Sequence, residues 1–259
     1  MREPVLAFEH VFLDEGRSPA VEDICFSIPR GGISALLGRD GAIRSSLVSC
    51  ALGKRKPSSG RVRLFGRDAR KDRRKLRGRV GFVPGEEASA ERIALELERG
   101  PELLILEDAR AAFGPAGAAT LLHEIRRRAA ALETTVWWTA CDSAGVEAIA
   151  NRVEILSKRR LVIDEDLESL RRRFRRISYM NEITETRTEY GTELDRFDAV
   201  RVKVRGWGVE AIVSNFEDAV FEDFVRQDGV ESAIAAPVSL DEIFAALTGD
   251  PGRPEAPVR

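Results

Sequence analysis

Between Ile33 and Cys50 the chain reads ISALLGRDGAIRSSLVSC, and no other stretch narrows the choice of fold as much. Ile33–Leu37 is a run of small and apolar residues that predicts a short buried strand. It stops at Gly38, a second glycine follows at Gly41, and a helical pattern runs from Ser45 to Leu52. This is the outline of a loop that wraps phosphate oxygens with backbone N–H groups at the start of a helix. Such loops use a lysine for the outer phosphates and the next hydroxyl for Mg²⁺. Here Arg44 stands at the lysine position, Ser45 and Ser46 follow it, and Ile43 replaces a glycine. The candidate nucleotide-binding set, in degenerate form, is Gly38, Asp40, Gly41, Ala42, Ile43, Arg44, Ser45 and Ser46. Arg44 keeps the charge but is longer, planar and forked. A branched side chain at Ile43 is expected to crowd the phosphates, since glycine serves where a ligand approaches the backbone closely.

The surrounding sequence alternates strand and helix patterns. VLAFEHVFL and DICFSIP read as two N-terminal strands, RVRLFG and RVGFVPG as two more, and 87–99 as a helix. Leu103–Leu106 is a continuous apolar run typical of a strand buried on both faces. A helix from about Pro115 to Ala131, the strand TTVWWTA, a helix over 143–150 and the strand pair RVEIL and RLVI follow. The expected fold class is α/β: a core like that of P-loop nucleotide hydrolases, with a mostly parallel sheet and antiparallel N-terminal strands, followed by a small α+β C-terminal domain. The expected domains are a core over 1–163, a charged helical linker over 164–178, an accessory domain over 179–250 and a disordered tail over 251–259. The closing helix has Ser239 as its N-cap and Gly249 past its end.

At 259 residues the chain is long enough for one large domain and a smaller one. No apolar run approaches the ~18 residues that a membrane span needs. The N-terminus is too charged for a secretory signal. Cys25, Cys50 and Cys141 are odd in number and widely spaced, which fits neither a disulfide framework nor a metal site and implies a cytoplasmic setting. His10 and His123, the only histidines, read as surface or packing residues. The net charge of −2 hides a split: 54–79 carries 13 basic and 2 acidic side chains, and 181–250 carries 16 acidic and 6 basic. A basic segment raises nucleic acid as a partner. It lacks interleaved aromatics and any reading motif, so a solvated surface is the better reading.

The order of the motifs resembles the ATP-binding subunits of ABC transporters, most closely the drug- and polysaccharide-export subfamily with a C-terminal accessory domain. FSIPRGGISALLGRDGA resembles the approach to the Walker A loop, RVGFVPG falls where the family has its Q-loop, and GPELLILED resembles Walker B. GPAGAATLLHEIRR resembles the segment after the D-loop, NRVEILSKRRLV the strand pair after the H-loop, and SLDEIFAALTG the closing helix. These matches are collinear over residues 5–250.

The resemblance implies ATP and Mg²⁺ as cofactors, Ser45 and Glu107 as Mg²⁺ ligands, and Asp108 as the residue that activates water. It also exposes departures. Glu15 stands where an adenine-stacking aromatic is expected, and Gly85 where the Q-loop glutamine is expected. Walker B reads Glu107-Asp108, the reverse of the family order, and the D-loop aspartate is replaced near Gly114. Cys141 aligns with the H-loop histidine, where a small buried residue at a strand end is expected. Only 63 positions separate Arg44 from Glu107, and no LSGGQ-like string occurs, so the helical signature subdomain is missing. Phosphoryl transfer depends on positioning and charge stabilisation, and several contributors are lost together. The expected function is therefore a degenerate, non-hydrolysing regulatory or structural subunit in an ABC exporter. Its partner would be a permease subunit or a competent ATPase subunit, as a homo- or heterodimer, cytoplasmic and peripheral at the inner face of the membrane. The alternatives are a working ATPase with altered motifs, and anion or nucleic-acid binding through 54–79.

Overall fold

The computed structural model describes residues 3–15, 18–109, 118–131, 133–143, 145–180 and 192–249. The chain divides into two compact units, Met1–Asp166 and Leu167–Arg259.

The first unit holds two sheets. β1 (Leu6–Glu15), β2 (Ser18–Ile28), β4 (Ser59–Leu64) and β5 (Arg67–Asp68) form an antiparallel sheet in the order β2-β1-β4-β5. The second sheet has the order β10-β9-β3-β8-β7-β6. In it β3 (Ile33–Leu37), β6 (Val80–Val83), β7 (Leu103–Glu107), β8 (Thr135–Ala140) and β9 (Arg152–Ser157) are parallel. β10 (Arg160–Asp166) closes one edge antiparallel to β9. Every residue of β3 and β8 is buried, as expected for central strands covered on both faces.

α1 (Gly41–Ala51) follows β3 and supplies Leu47, Val48, Cys50 and Ala51 to an apolar cluster shared by the two sheets. Phe8 stacks on Phe26 at 4.7 Å between ring centres, and Trp137 of β8 packs on both at 5.8 and 6.2 Å. α2 (Arg73–Leu76) and a short 3₁₀ turn connect β5 to β6. Between β6 and β7 stand a 3₁₀ turn (Gly85–Glu87) and one α-helix, α3 (Ala90–Glu98), capped by the Ser89 hydroxyl, which accepts from the Arg92 N–H at 3.1 Å. α4 (Ala118–Ala130) lies between β7 and β8; the expected start of this helix at Pro115 and the D-loop position Gly114 fall outside the described residues. α5 is only Val146–Ile149, shorter than the helix expected over 143–150.

The second unit has its own core. α6 (Leu167–Arg173) leads into β11 (Arg175–Met180). The segment expected as one helical linker over 164–178 is thus the end of β10, a short helix and the start of a strand. β11 joins β12 (Ala199–Arg205), β13 (Gly208–Val213) and β14 (Glu231–Pro237) in an antiparallel sheet of order β12-β13-β11-β14. Ile177, Tyr179, Val209 and Ala211 line one face with Phe224 of α7 (Asp218–Val225). α8 (Leu240–Thr248) opens with a capping box in which Ser239 and Glu242 satisfy each other's backbone N–H groups. The expected tail, 251–259, lies outside the described residues.

Candidate nucleotide site

The candidate residues gather at the carboxyl ends of β3, β8 and β7, three neighbouring strands of the parallel sheet and the usual place for a ligand in an open α/β sheet. Gly38 closes β3 and donates its N–H to the Ala140 carbonyl of β8 at 3.1 Å. Asp40 then caps α1, which starts four residues earlier than the sequence pattern suggested. The Asp40 carboxylate accepts from the Ile43 N–H at 3.1 Å. That carboxylate is an anion on the positive end of an 11-residue helix, which is where a phosphate oxygen sits in a working loop.

Arg44 decides the character of the loop. It is only 3% exposed and its side chain folds back toward Gly38 and Gly41. A methyl group placed on Gly41 would lie 3.7 Å from its Nη2, and one on Gly38 would lie 3.8 Å from its Cγ. Nη1 donates to the Gly38 carbonyl. Nη2 donates to both carboxylate oxygens of Asp108, at 2.8 and 2.6 Å. The basic residue of the loop and the second Walker B carboxylate therefore neutralise each other inside the loop. Ile43, expected to crowd the phosphates, packs against the apolar cluster. The crowding comes from Arg44.

Asp108 is held from its other side. Its N–H donates to the Thr139 carbonyl at 2.8 Å, and its φ of 44° is a left-handed conformation that aspartate tolerates better than most residues. Gly85 touches the same corner. A methyl group there would sit 3.0 Å from the Glu107 carbonyl oxygen and 3.2 Å from the Asp108 Cβ, so a glutamine does not fit without movement. Glu107 ends β7 half-buried. Ser45 is exposed, whereas the Ser46 hydroxyl accepts from Arg55 Nη1 at 2.7 Å. Ala42 is exposed on the first turn of α1. Cys141, just past β8, is exposed rather than buried as expected, because the chain leaves the sheet at Ala140. Phe12, in β1, is exposed at 36%. Among the described residues no group of three or more His, Cys, Asp or Glu side chains could hold a metal.

Spacing alone did not reveal the Arg44–Asp108 pair, whose members are 64 positions apart. The readable signal was the joint change of a loop lysine to arginine and a Walker B glutamate to aspartate. A second feature lay outside every motif: Glu154 of β9 is fully buried. The Ser34 hydroxyl donates to its Oε1 at 2.5 Å, and burial pushes its carboxyl up to about 8.

The family model described as ABC transporter matches residues 21–172, more than half of the chain. A methionine import ATP-binding protein from Rhizobium etli is 36% identical over 72 residues, which is 26% of this chain and 20% of that protein. A zinc transport system ATP-binding protein from Treponema pallidum is 39% identical over 72 residues, 28% of this chain and 26% of that one. The aligned chain thus spans about a fifth to a quarter of the length of these relatives. Among solved structures, cbiO1 from Clostridium perfringens, part of an ABC transporter complex, superposes with a TM-score of 0.55 at 20% identity, covering 64% of this chain and 89% of that one. A bacterial Atm1-family ABC exporter with ATP bound gives 0.54 at 18% identity, covering 66% and 40%. The two-sheet core with its loop between β3 and α1, matched by the family model across both Walker segments, places this chain in the ABC transporter family, as a member built on the ATP-binding domain.

Proposed function

We propose that the protein is a non-hydrolysing ATP-binding-type subunit of an ABC exporter, acting as a structural or regulatory partner of a permease or of a competent ATPase subunit. The observation that carries this reading is the buried Arg44 guanidinium, bound to Gly38 and to both oxygens of Asp108 within the loop. As arranged, the loop does not fit a triphosphate. Its interior holds Arg44, the Ile43 N–H is occupied by Asp40, and Asp40 and Asp108 set carboxylates where phosphates would come. Asp108, paired to Arg44, is not placed to activate water. The absent signature segment supports the same reading, since only α3 spans the distance between Gly85 and Glu107. A cytoplasmic position, peripheral at the inner face of the membrane, follows from an assignment of this kind.

Calorimetric titration of Mg²⁺·ATP into the purified chain tests this, followed by a phosphate-release assay. The expected result is no saturable binding at millimolar nucleotide and no turnover above background. Saturable binding with turnover that is lost in Arg44→Ala would establish the working-ATPase reading instead. That reading has one feature in its favour: Asp108 is 38% exposed, so an incoming anion can reach the pair. For the basic segment 54–79, several charges are already answered, Arg63 by Glu9 and Arg79 by Glu102, which favours a paired surface over a nucleic-acid track.

A further inference from the structure

A pocket of about 370 Å³ opens between the end of α1, β4, α2, β6 and α3; none of the candidate nucleotide-binding residues lines it. Its volume lies in the range of small-molecule sites, about 300–1,000 Å³. The floor is apolar: Leu64 and Leu76 are each 2% exposed, and the Phe82 ring faces the same space. The mouth is cationic. Lys54 sits with its ammonium 5.0 Å over the Phe82 ring, and Arg73 and Arg77 stand four residues apart along α2 and the turn after it. Among the described residues none of these three forms an ion pair.

The one carboxylate in the lining does not compensate them. Glu96 is 3% exposed and is bound by Arg92 at 2.7 Å and Arg99 at 3.1 Å, which also line the pocket. Like charges four residues apart on a helical turn repel. Three cations around an apolar hollow therefore favour an anion between them. Guanidinium groups pair well with the oxygens of carboxylates and phosphates. We infer that this pocket binds a soluble amphiphilic anion: a phosphate monoester or carboxylate head between Lys54, Arg73 and Arg77, and an apolar body against Leu64, Leu76 and Phe82. This assignment stands independently of the nucleotide loop.

Titration calorimetry on the full chain with octyl phosphate, octanol and inorganic phosphate tests it. The expected result is one saturable site for octyl phosphate, at least about tenfold tighter than for octanol or for phosphate alone. The double variant Arg73→Gln, Arg77→Gln is expected to weaken octyl phosphate at least about tenfold while its unliganded thermal midpoint stays unchanged, because both side chains are exposed. The proposal is overturned if octyl phosphate does not saturate, if octanol binds as tightly, or if the double variant binds like the parent.

Discussion

Arg44 and Asp108 show how far a residue's neighbourhood decides its chemistry. A guanidinium that is 3% exposed needs its partner more than the carboxylate does, which keeps 38% of its surface in water. Breaking a buried pair by removing one member costs about 3–5 kcal/mol, and the exposure of Asp108 reduces that here to about 1–3 kcal/mol. Asp108→Asn is therefore expected to lower the free energy of unfolding by that amount, and Arg44→Met to lower it by less, since methionine fills the space without a charge. No loss in Asp108→Asn, measured by equilibrium unfolding, would show that the charge of the pair contributes nothing. Glu154 makes a second residue-scale prediction. Burial is the main cause of its rise from 4.5 to about 8, with Asp164 adding to it and the Ser34 hydrogen bond and Arg152 opposing it. The folded protein thus holds a proton that the unfolded chain releases. Its contribution to stability is complete below pH 4.5 and is lost as pH rises through about 8, by up to about 1.4 kcal/mol per pH unit. Glu154→Gln should flatten the stability–pH profile over this interval and be more stable than the parent at pH 9.

At the scale of elements, α8 was readable before any coordinates because its signals are local. Ser239 lies one residue before the helix, Glu242 three residues after the cap, and Gly249 closes it. Ser239→Ala removes one half of the capping box and is expected to cost about 1 kcal/mol, measurable as a lower midpoint of the unit that contains it. The apolar runs of β3 and β7 were readable for the same reason. β11 was not. Its sequence, RRISYM, opens with two arginines that continue the basic run of α6, and only Ile177 and Tyr179 point into the core. Two alternating positions are too few to outweigh a charged helical pattern. The Arg44–Asp108 contact was hidden for a different reason, since sheet topology and not local spacing brings β3 and β7 within one strand of each other.

For the whole molecule, two units with separate apolar clusters are expected to unfold in more than one step. Phe224 anchors the second cluster, with its ring edge-on to Tyr179 at 5.1 Å and to Phe197 at 5.7 Å. Phe224→Ala should cost about 3–5 kcal/mol and displace one calorimetric transition while leaving the other in place. A single transition that moves as a whole would show that the units melt together.

Gly85 carries a consequence for redesign of this corner. Its backbone lies so close to Glu107 and Asp108 that a side chain there needs the neighbouring strand end to give by a few tenths of an ångström. That corner is pinned by Asp108, and Asp108 is pinned by Arg44. Any longer side chain at Gly85 therefore shifts this corner, and with it the geometry in which Arg44 holds Asp108.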